Sequence, residues 1–474
     1  MLALPTAAEP LVDRVRATFT RPSFERFVLL CVGAIVTFGR RSVSRILWTI
    51  EPAAHGHASS YHRLFSKARW SLSPLAKVLA GMVLEMVPAD EPVLCAMDDH
   101  VVQRRGKSVY GRGRHCSAVG STKGLRVWGH RWVVLAILVK FPFSSRYWAL
   151  PVLCALYRDR KTNEKEKRRH KTSCLLARQM LARLLHWFPD RRFIAIGDGG
   201  FASHDLARFA HRHRRRLTLI ARGRGDLNLY ALPGPHKPCR QTEWKRRKYN
   251  LRPRCRRGRK LPSPAKAVEG ARASKHASRS LPTQTLQWYG QSQKTLEVFS
   301  ACGGWYHAYG KGVAHLVPLR WVYTGDPKKP RNQRKAQDWF WCTDPSFTPK
   351  QIIETFAGRW SIEVTFQELH AHLAIHTLRQ RSARSVLRTV PWLMGLFSAV
   401  CLIASRLWQQ GKKEALHHTP CYHKREATFA DALYAVRRSL WESCLLRTVL
   451  RQAPRTRLTA SAKRKLITYL AEAA

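Results

Sequence analysis

Two short apolar runs constrain this chain more than any other feature: Val93-Leu94-Cys95-Ala96-Met97 and Phe193-Ile194-Ala195-Ile196. The first gives way to Asp98-Asp99 and the second to Gly197-Asp198-Gly199-Gly200. Apolar runs this short, bounded by turn-forming residues, read as buried strands. Between them, Trp128 to Phe141 and Trp148 to Leu153 are strand-like. Lys161 to Phe188 has a charged first half and a helically periodic apolar second half. Ser203 to His213 reads as a helix and Arg216 to Ala221 as a further strand. Strands, then a helix, then alternating strand and helix predict an α/β core with helices covering a sheet.

The flanks differ from this core. In residues 1 to 90, Phe24, Phe27, Val28, Cys31 and Ile35 recur at helical spacing, with Ser23 placed as a cap. Ser42 to Ile50 and Ser59 to Arg69 follow as short segments. The second offers Ser59 or Ser60 as its cap and carries Tyr61, His62, Arg63, Lys67 and Arg69. Helix-turn-helix proteins insert such a helix into the major groove, although solvated basic helices share the composition. Residues 223 to 344 break the α/β rhythm with Pro and Gly punctuation and strand candidates at Thr295 to Ser300 and Ala314 to Thr324. Within them, Lys237 to Lys260 holds 12 basic residues in 24, against the single acid Glu243. This predicts a β-rich insertion with a basic loop. Thr348-Pro349-Lys350-Gln351 combines an N-cap, a proline at the first helical position and the partner of a capping box. It predicts one long helix running to about Ala374. Helices joined by basic connectors follow Gln380. The expected division is a helical DNA-binding region over 1–90, a first core part over 91–222, the insertion over 223–344, a second core part over 345–410, and a helical C-terminal region over 411–474.

Charge sets the partner class. Lys plus Arg total 84 against 30 for Asp plus Glu, a net +54 over 474 residues. Such a chain repels itself unless a polyanion neutralises it, and nucleic acid gains affinity from each counterion that a neutralised phosphate releases. With 45% hydrophobic residues, the chain can bury a sizeable core, which excludes global disorder. The twelve cysteines form no Cys-x-x-Cys pair, so no zinc ribbon or redox motif is indicated. Cys421-x-His423 beside His417 and His418 reads first as a solvated loop, with zinc ligation as the alternative. The N-terminus lacks the basic and apolar regions of a signal peptide. The longest uncharged stretch, Thr389 to Ser405, is 17 residues long and contains Pro391 and Gly395. It predicts a buried helix rather than a span, and hence a cytoplasmic chain without membrane attachment.

Three acids stand out by setting. Asp98 and Asp198 each end an apolar strand, and strand carboxyl ends border the sites of open α/β sheets. Alternation along a strand sends Asp98 and Asp99 to opposite sides, which favours Asp98. Phe356, Arg359, Glu363, Phe366 and His370 fall on one stripe of the predicted long helix, whereas Glu354 and Glu368 do not. Taken singly, each acid also has an ordinary reading, as a turn residue or as half of a surface ion pair.

These residues resemble bacterial insertion-sequence transposases of the Asp-Asp-Glu type, whose ribonuclease-H-like core is interrupted by a β-rich insertion before the glutamate. That family carries Tyr-x2-Arg-x3-Glu-x6-Lys on the glutamate helix. Here the stretch reads Phe356-Ala357-Gly358-Arg359-Trp360-Ser361-Ile362-Glu363, with His370 in the lysine position. Asp98-Asp99-His100 stands where the family usually has Asp-x-Thr, and Asp198-Gly199-Gly200 matches its Asp-x-Gly. The resemblance covers about residues 92 to 405. It implies that Asp98, Asp198 and Glu363 converge as ligands of two Mg²⁺ ions, with Mn²⁺ as a substitute. It also implies phosphate contacts from Arg359 and His370, and double-stranded DNA as partner, both inverted-repeat ends and target, bound by a homodimer. The implied reaction is phosphoryl transfer, with water attacking the element end and the freed 3′-hydroxyl then attacking target DNA. Some members with this insertion pass through a DNA hairpin, helped by a base flipped onto an insertion tryptophan; Trp244, Trp288, Trp305 and Trp321 lie in the insertion here. The alternative is a catalytically inactive or domesticated DNA-binding derivative. A non-transposing nuclease with the same core is a further one.

Overall fold

The computed structural model describes residues 4–116, 126–232, 259–273, 281–288, 293–309, 313–329, 337–411, 423–445 and 459–472. Most of Lys237–Lys260, together with Trp244, His417, His418 and Cys421, lies outside them. The chain forms two compact units: Met1–Asp90, Asp99–Thr172 and Ser361–Ala474 make the first, and Glu91–Asp98 with Ser173–Trp360 make the second.

The first unit holds the later half of strand β1 (Val93–Gln103), with β2 (Gly113–Cys116), β3 (Arg126–Lys140) and β4 (Tyr147–Tyr157). The sequence reading ended the first strand at Met97. The structure continues it to Gln103, because beyond Met97 the chain still has β3 as a neighbour. That approach is close: a Cβ on Gly129 of β3 would lie 2.5 Å from the Val102 carbonyl oxygen of β1, so only glycine fits there. Strands β3 and β4 pair antiparallel along almost their full length, with an irregularity at Leu135/Ala136 opposite Pro151. Proline lacks the amide hydrogen the ladder would use there. The helix Ala383–Gln409 packs against β4 and fulfils the expectation for Thr389–Ser405. It is apolar enough to cross a membrane by length and composition, yet 78% of its most apolar window is buried in protein. Ser398 on this helix donates to the Pro151 carbonyl at 2.8 Å.

Residues 1–90 are helical, as predicted, but two caps differ. The helix Arg21–Val36 starts one turn earlier than expected, after Thr20. The helix Ala58–Ser66 is capped by His57, whose ring accepts from the Ser59 amide, rather than by Ser59 or Ser60. Tyr61, Leu64 and Phe65 of this helix are buried, while His62, Arg63, Lys67 and Arg69 face solvent. Its C-terminal carbonyls are held by Arg388. One guanidinium nitrogen donates to Leu64, Phe65 and Ala68, at 3.3, 3.3 and 2.9 Å, and the other donates to Trp70.

The same unit contains a titrating core histidine. His130 on β3 is 1% exposed and donates from Nε2 to the Tyr110 carbonyl at 2.9 Å. Burial, reinforced by the Arg104 cation, pushes its pKa from 6.5 down to about 4. In the folded state it therefore resists a proton that the unfolded chain accepts below about pH 6.5, so its contribution to stability is present above that pH and lost as pH falls toward about 4. Denaturant titrations should show His130→Phe with a shallower loss of stability than wild type between these pH values. At neutral pH the variant should be weaker by about 1 kcal/mol for the missing hydrogen bond. Equal acid slopes would show that the titration lies elsewhere.

The second unit is built on the early half of β1, with β5 (Phe193–Gly197) and β6 (Leu217–Arg222) parallel to it in turn. In this unit β1, β5 and β6 lie side by side in that order, all parallel, the arrangement expected of an α/β core. The helix Ser173–Trp187 covers this region and buries Leu176, Met180, Leu181, Leu184 and Leu185. Each such side chain contributes roughly 1.5–3 kcal/mol. The predicted single helix over Lys161–Phe188 is in fact two, Arg160–Lys165 and Ser173–Trp187. The charge-dense Glu166–His170 stretch between them has little apolar surface to hold it helical.

The β-rich insertion is observed. Strands β7 (Leu229–Tyr230), β8 (Thr283–Gln287), β9 (Gln293–Tyr309), β10 (Val313–Gly325) and β11 (Gln337–Cys342) follow β6. The helix Pro264–Ala273 is their one helical interruption among the described residues. β9 and β10 form a long antiparallel ladder, and β11 joins them to β6. The fold is thus α/β, with a mixed sheet, a β-rich insertion and helical termini.

Candidate active site

Register brings the two aspartates together. β1 and β5 pair in parallel from Val93↔Phe193 to Met97↔Gly197. Asp98 and Asp198 are the next residues on these adjacent strands, whose axes are about 4.8 Å apart. Both therefore stand where the parallel ladder stops, which is the border position expected of an α/β site. Asp198 also serves as a turn residue: its carboxylate accepts from the Gly200 amide at 2.9 Å and caps the short turn Gly199–Phe201. Gly197 before it is required sterically, since a Cβ there would lie 2.7 Å from Phe201 Cβ.

Asp98 is held by Arg359. The guanidinium donates to Asp98 Oδ2 at 2.7 Å, with side-chain exposures of 9% for Arg359 and 16% for Asp98. The Arg359 guanidinium also lies 5.5 Å from the Phe356 ring centroid. Asp99 pairs instead with Arg131 of β3, as alternation along a strand requires.

The predicted long helix from Thr348 is corrected. Its start is as expected, with the Thr348–Gln351 capping box and Pro349 at the first position. It ends at Gly358, and a second helix runs Ser361–Ala371. Arg359 and Trp360 make the tighter bonds of a turn, to Phe356 and Ala357. Glycine weakens a helix interior by about 1 kcal/mol, which makes Gly358 a natural stopping place. The five-residue stripe thus does not lie on one helix. Phe356 belongs to the first, Arg359 to the turn, and Glu363, Phe366 and His370 to the second. Glu363 falls in the first turn of its helix, where the dipole favours a negative charge. It lies in the first unit, Asp98 and Asp198 in the second. The two rejected glutamates are engaged elsewhere: Glu354 accepts from the Gln287 amide at 3.1 Å, and Glu368 pairs with His372. Among the described residues, no group of three or more His, Cys, Asp and Glu side chains is gathered closely enough to hold a metal ion.

His370 sits in a cluster that sequence reading missed. His100 and His370 face each other Nε2 to Nε2 at 2.8 Å, one ring donating and the other accepting. His100 stacks on Phe366 at 4.4 Å, and His370 stacks on His376 at 5.2 Å. Burial, then His370, drives the His100 pKa down to about 3; burial, then His376 and Arg104, lowers that of His370. The pair is therefore neutral at neutral pH. Arg104 braces this cluster by donating to the His376 and Ile375 carbonyls. A histidine two residues after Asp98 and another seven after Glu363 were visible in the sequence, but their contact depends on tertiary packing.

The parallel β1–β5 pair, with an aspartate following each strand at the same end, defines an α/β core that carries its candidate site at the strand carboxyl ends. The chain belongs to the DDE superfamily endonuclease family, whose pattern matches residues 14–295 and so includes Asp98 and Asp198 but ends before Glu363. Among solved structures, the piggyBac transposase synaptic complex with hairpin DNA is 11% identical, with 98% of this chain and 80% of that chain covered and a TM-score of 0.40. No curated protein matches the chain.

Proposed function

We propose that this endonuclease is a DNA transposase that cuts the ends of its own element and joins them to target DNA. The reading rests chiefly on Asp98 and Asp198 standing side by side at the end of the β1–β5 ladder, with the family's membership giving the class of chemistry. Their donors are hard carboxylate oxygens, the type that Mg²⁺ or Mn²⁺ prefers, and Glu363 would be the third such donor if the site assembles as the family resemblance implies. A divalent pair bound there would activate the attacking hydroxyl and stabilise the leaving oxygen. Arg359 keeps the Asp98 carboxylate oriented and presents a cation for the phosphate under attack. His370, neutral in its contact with His100, would serve as a hydrogen-bond donor rather than as a charge. The net +54 of the chain supplies affinity for duplex DNA, and two copies on a pair of ends would form the working assembly in the cytoplasm.

The test is excision from a donor plasmid carrying the element's own inverted repeats. Loss of the element from the plasmid, with its reinsertion in a target, supports the proposal. Cleavage without joining would make the protein a nuclease alone, and binding without cleavage would favour an inactive derivative.

A further inference from the structure

A groove in the first unit gathers positive charge. It is about 490 Å³ in volume and lies among residues 40–44, one side of the helix Ala58–Ser66, and the segment 379–385 that leads into the long helix Ala383–Gln409. Arg40, Arg379, Arg381 and His62 line it, and no Asp or Glu does. The three arginine side chains are exposed and have no carboxylate partner among the described residues. Serine hydroxyls alternate with these cations, including Ser44, which lies 3.5 Å from His62 Nε2. Gln380, also in the lining, keeps a buried side-chain oxygen with no hydrogen-bond partner. An exposed basic rim continues the field, with Arg63, Lys67 and Arg384 facing solvent. Trp48, 64% exposed, carries the Arg45 guanidinium at 4.1 Å.

We propose that this groove binds the phosphodiester backbone of duplex DNA and holds the helix Ala58–Ser66 against it, as an anchor that uses none of the three carboxylates. Three features favour a phosphate backbone. The arginines present forked donors that suit phosphate oxygens. Hydroxyls are frequent phosphate partners that carry no sequence information. The absence of acids in the lining leaves the arginine charges uncompensated until an anion enters. Buried Arg388 and Arg41 make the groove a formed feature. Arg388 ties down the end of the helix Ala58–Ser66, and Arg41 donates to the carbonyls of Ala34 and His372 while its own amide is bonded to Thr377. The walls are thus set before DNA arrives. The inference rests on the DNA-acting function proposed above.

The test compares the full chain with its R40A/R379A/R381A variant on a random-sequence duplex, by anisotropy titration over a range of salt. If all three arginines contact phosphates, the slope of log affinity against log salt should flatten by about 2.7, from roughly 0.9 per contact, and affinity should fall on the order of a hundredfold at about 0.15 M salt. The R40K/R379K/R381K variant should keep most of the slope, because charge is retained. An unchanged slope in the alanine variant overturns the groove, as does equal loss in the lysine variant, which would mark the arginines as structural. Inorganic phosphate binding to a wild-type chain whose slope the alanine variant leaves intact also overturns it, by making this a small-anion site. A wild-type chain with no affinity for duplex DNA would overturn the functional reading itself.

Discussion

Replacing Asp98 by asparagine, or Asp198 or Glu363 by alanine, is expected to lower strand cleavage by at least about a thousandfold while duplex affinity changes by no more than about twofold. Ligands of a divalent ion stabilise charge that develops at the reacting phosphate, worth several kcal/mol, and each 1.36 kcal/mol is about tenfold in rate. Affinity comes instead from the cations that make up the +54. Asparagine is chosen at position 98 because its amide oxygen can still accept from the Arg359 guanidinium, 9% exposed and 2.7 Å from the native carboxylate, whereas alanine offers no acceptor. At position 198, alanine removes the bond to the Gly200 amide and should cost about 1 kcal/mol of stability, the worth of a cap. The measurement is cleavage of an end-containing duplex beside a gel shift on the same preparations. Retained cleavage in all three variants refutes the carboxylate site, and lost binding with a lowered melting temperature makes the acids structural.

Arg388→Met is expected to destabilise the first unit by about 3–5 kcal/mol, enough to lower the soluble yield of the full chain. The side chain is 9% exposed, and its guanidinium serves the carbonyls of Leu64, Phe65, Ala68 and Trp70 while lying 4.4 Å from the Trp70 ring. Burial lowers its pKa to about 10, so it keeps its proton at neutral pH. Methionine fills much of the volume but leaves buried acceptors without a donor, each worth about 1–3 kcal/mol. Denaturant unfolding should show the loss, and Arg384→Met, a change to an exposed neighbour on the same helix, should shift stability by less than about 0.5 kcal/mol. Equal effects would show that the carbonyl clamp contributes little. Any loss of DNA affinity in Arg388→Met should track the unfolded fraction, unlike that of the groove variants, whose exposed side chains predict normal folding.

Much of the core was legible because its signals are local. The runs before Asp98 and Asp198, the strand-like stretches at 128–141 and 148–153, and the capping box at Thr348 each state their structure within a few residues. The structure contains all of them as strands or as a helix start. The misreadings share one cause. Composition could not show that β1 finds β3 as a neighbour beyond Met97, nor that the helix from Thr348 stops at Gly358, where Arg359 reaches Asp98. His57 displaced Ser59 as a cap because its ring reaches the Ser59 amide. A cap depends on geometry as well as on residue type.

The sequence alone determined the alternation of strand and helix, the insertion, the excess of positive charge, and which acids terminate apolar runs. These depend on periodicity and on residue chemistry within one element. Tertiary structure alone decided the register that makes Asp98 and Asp198 neighbours, the Arg359 bond that fixes one of them, the His100–His370 contact, and the groove formed by segments more than 300 residues apart in the chain. Each joins residues distant in sequence, whose approach is set by how sheets and helices pack rather than by any local pattern.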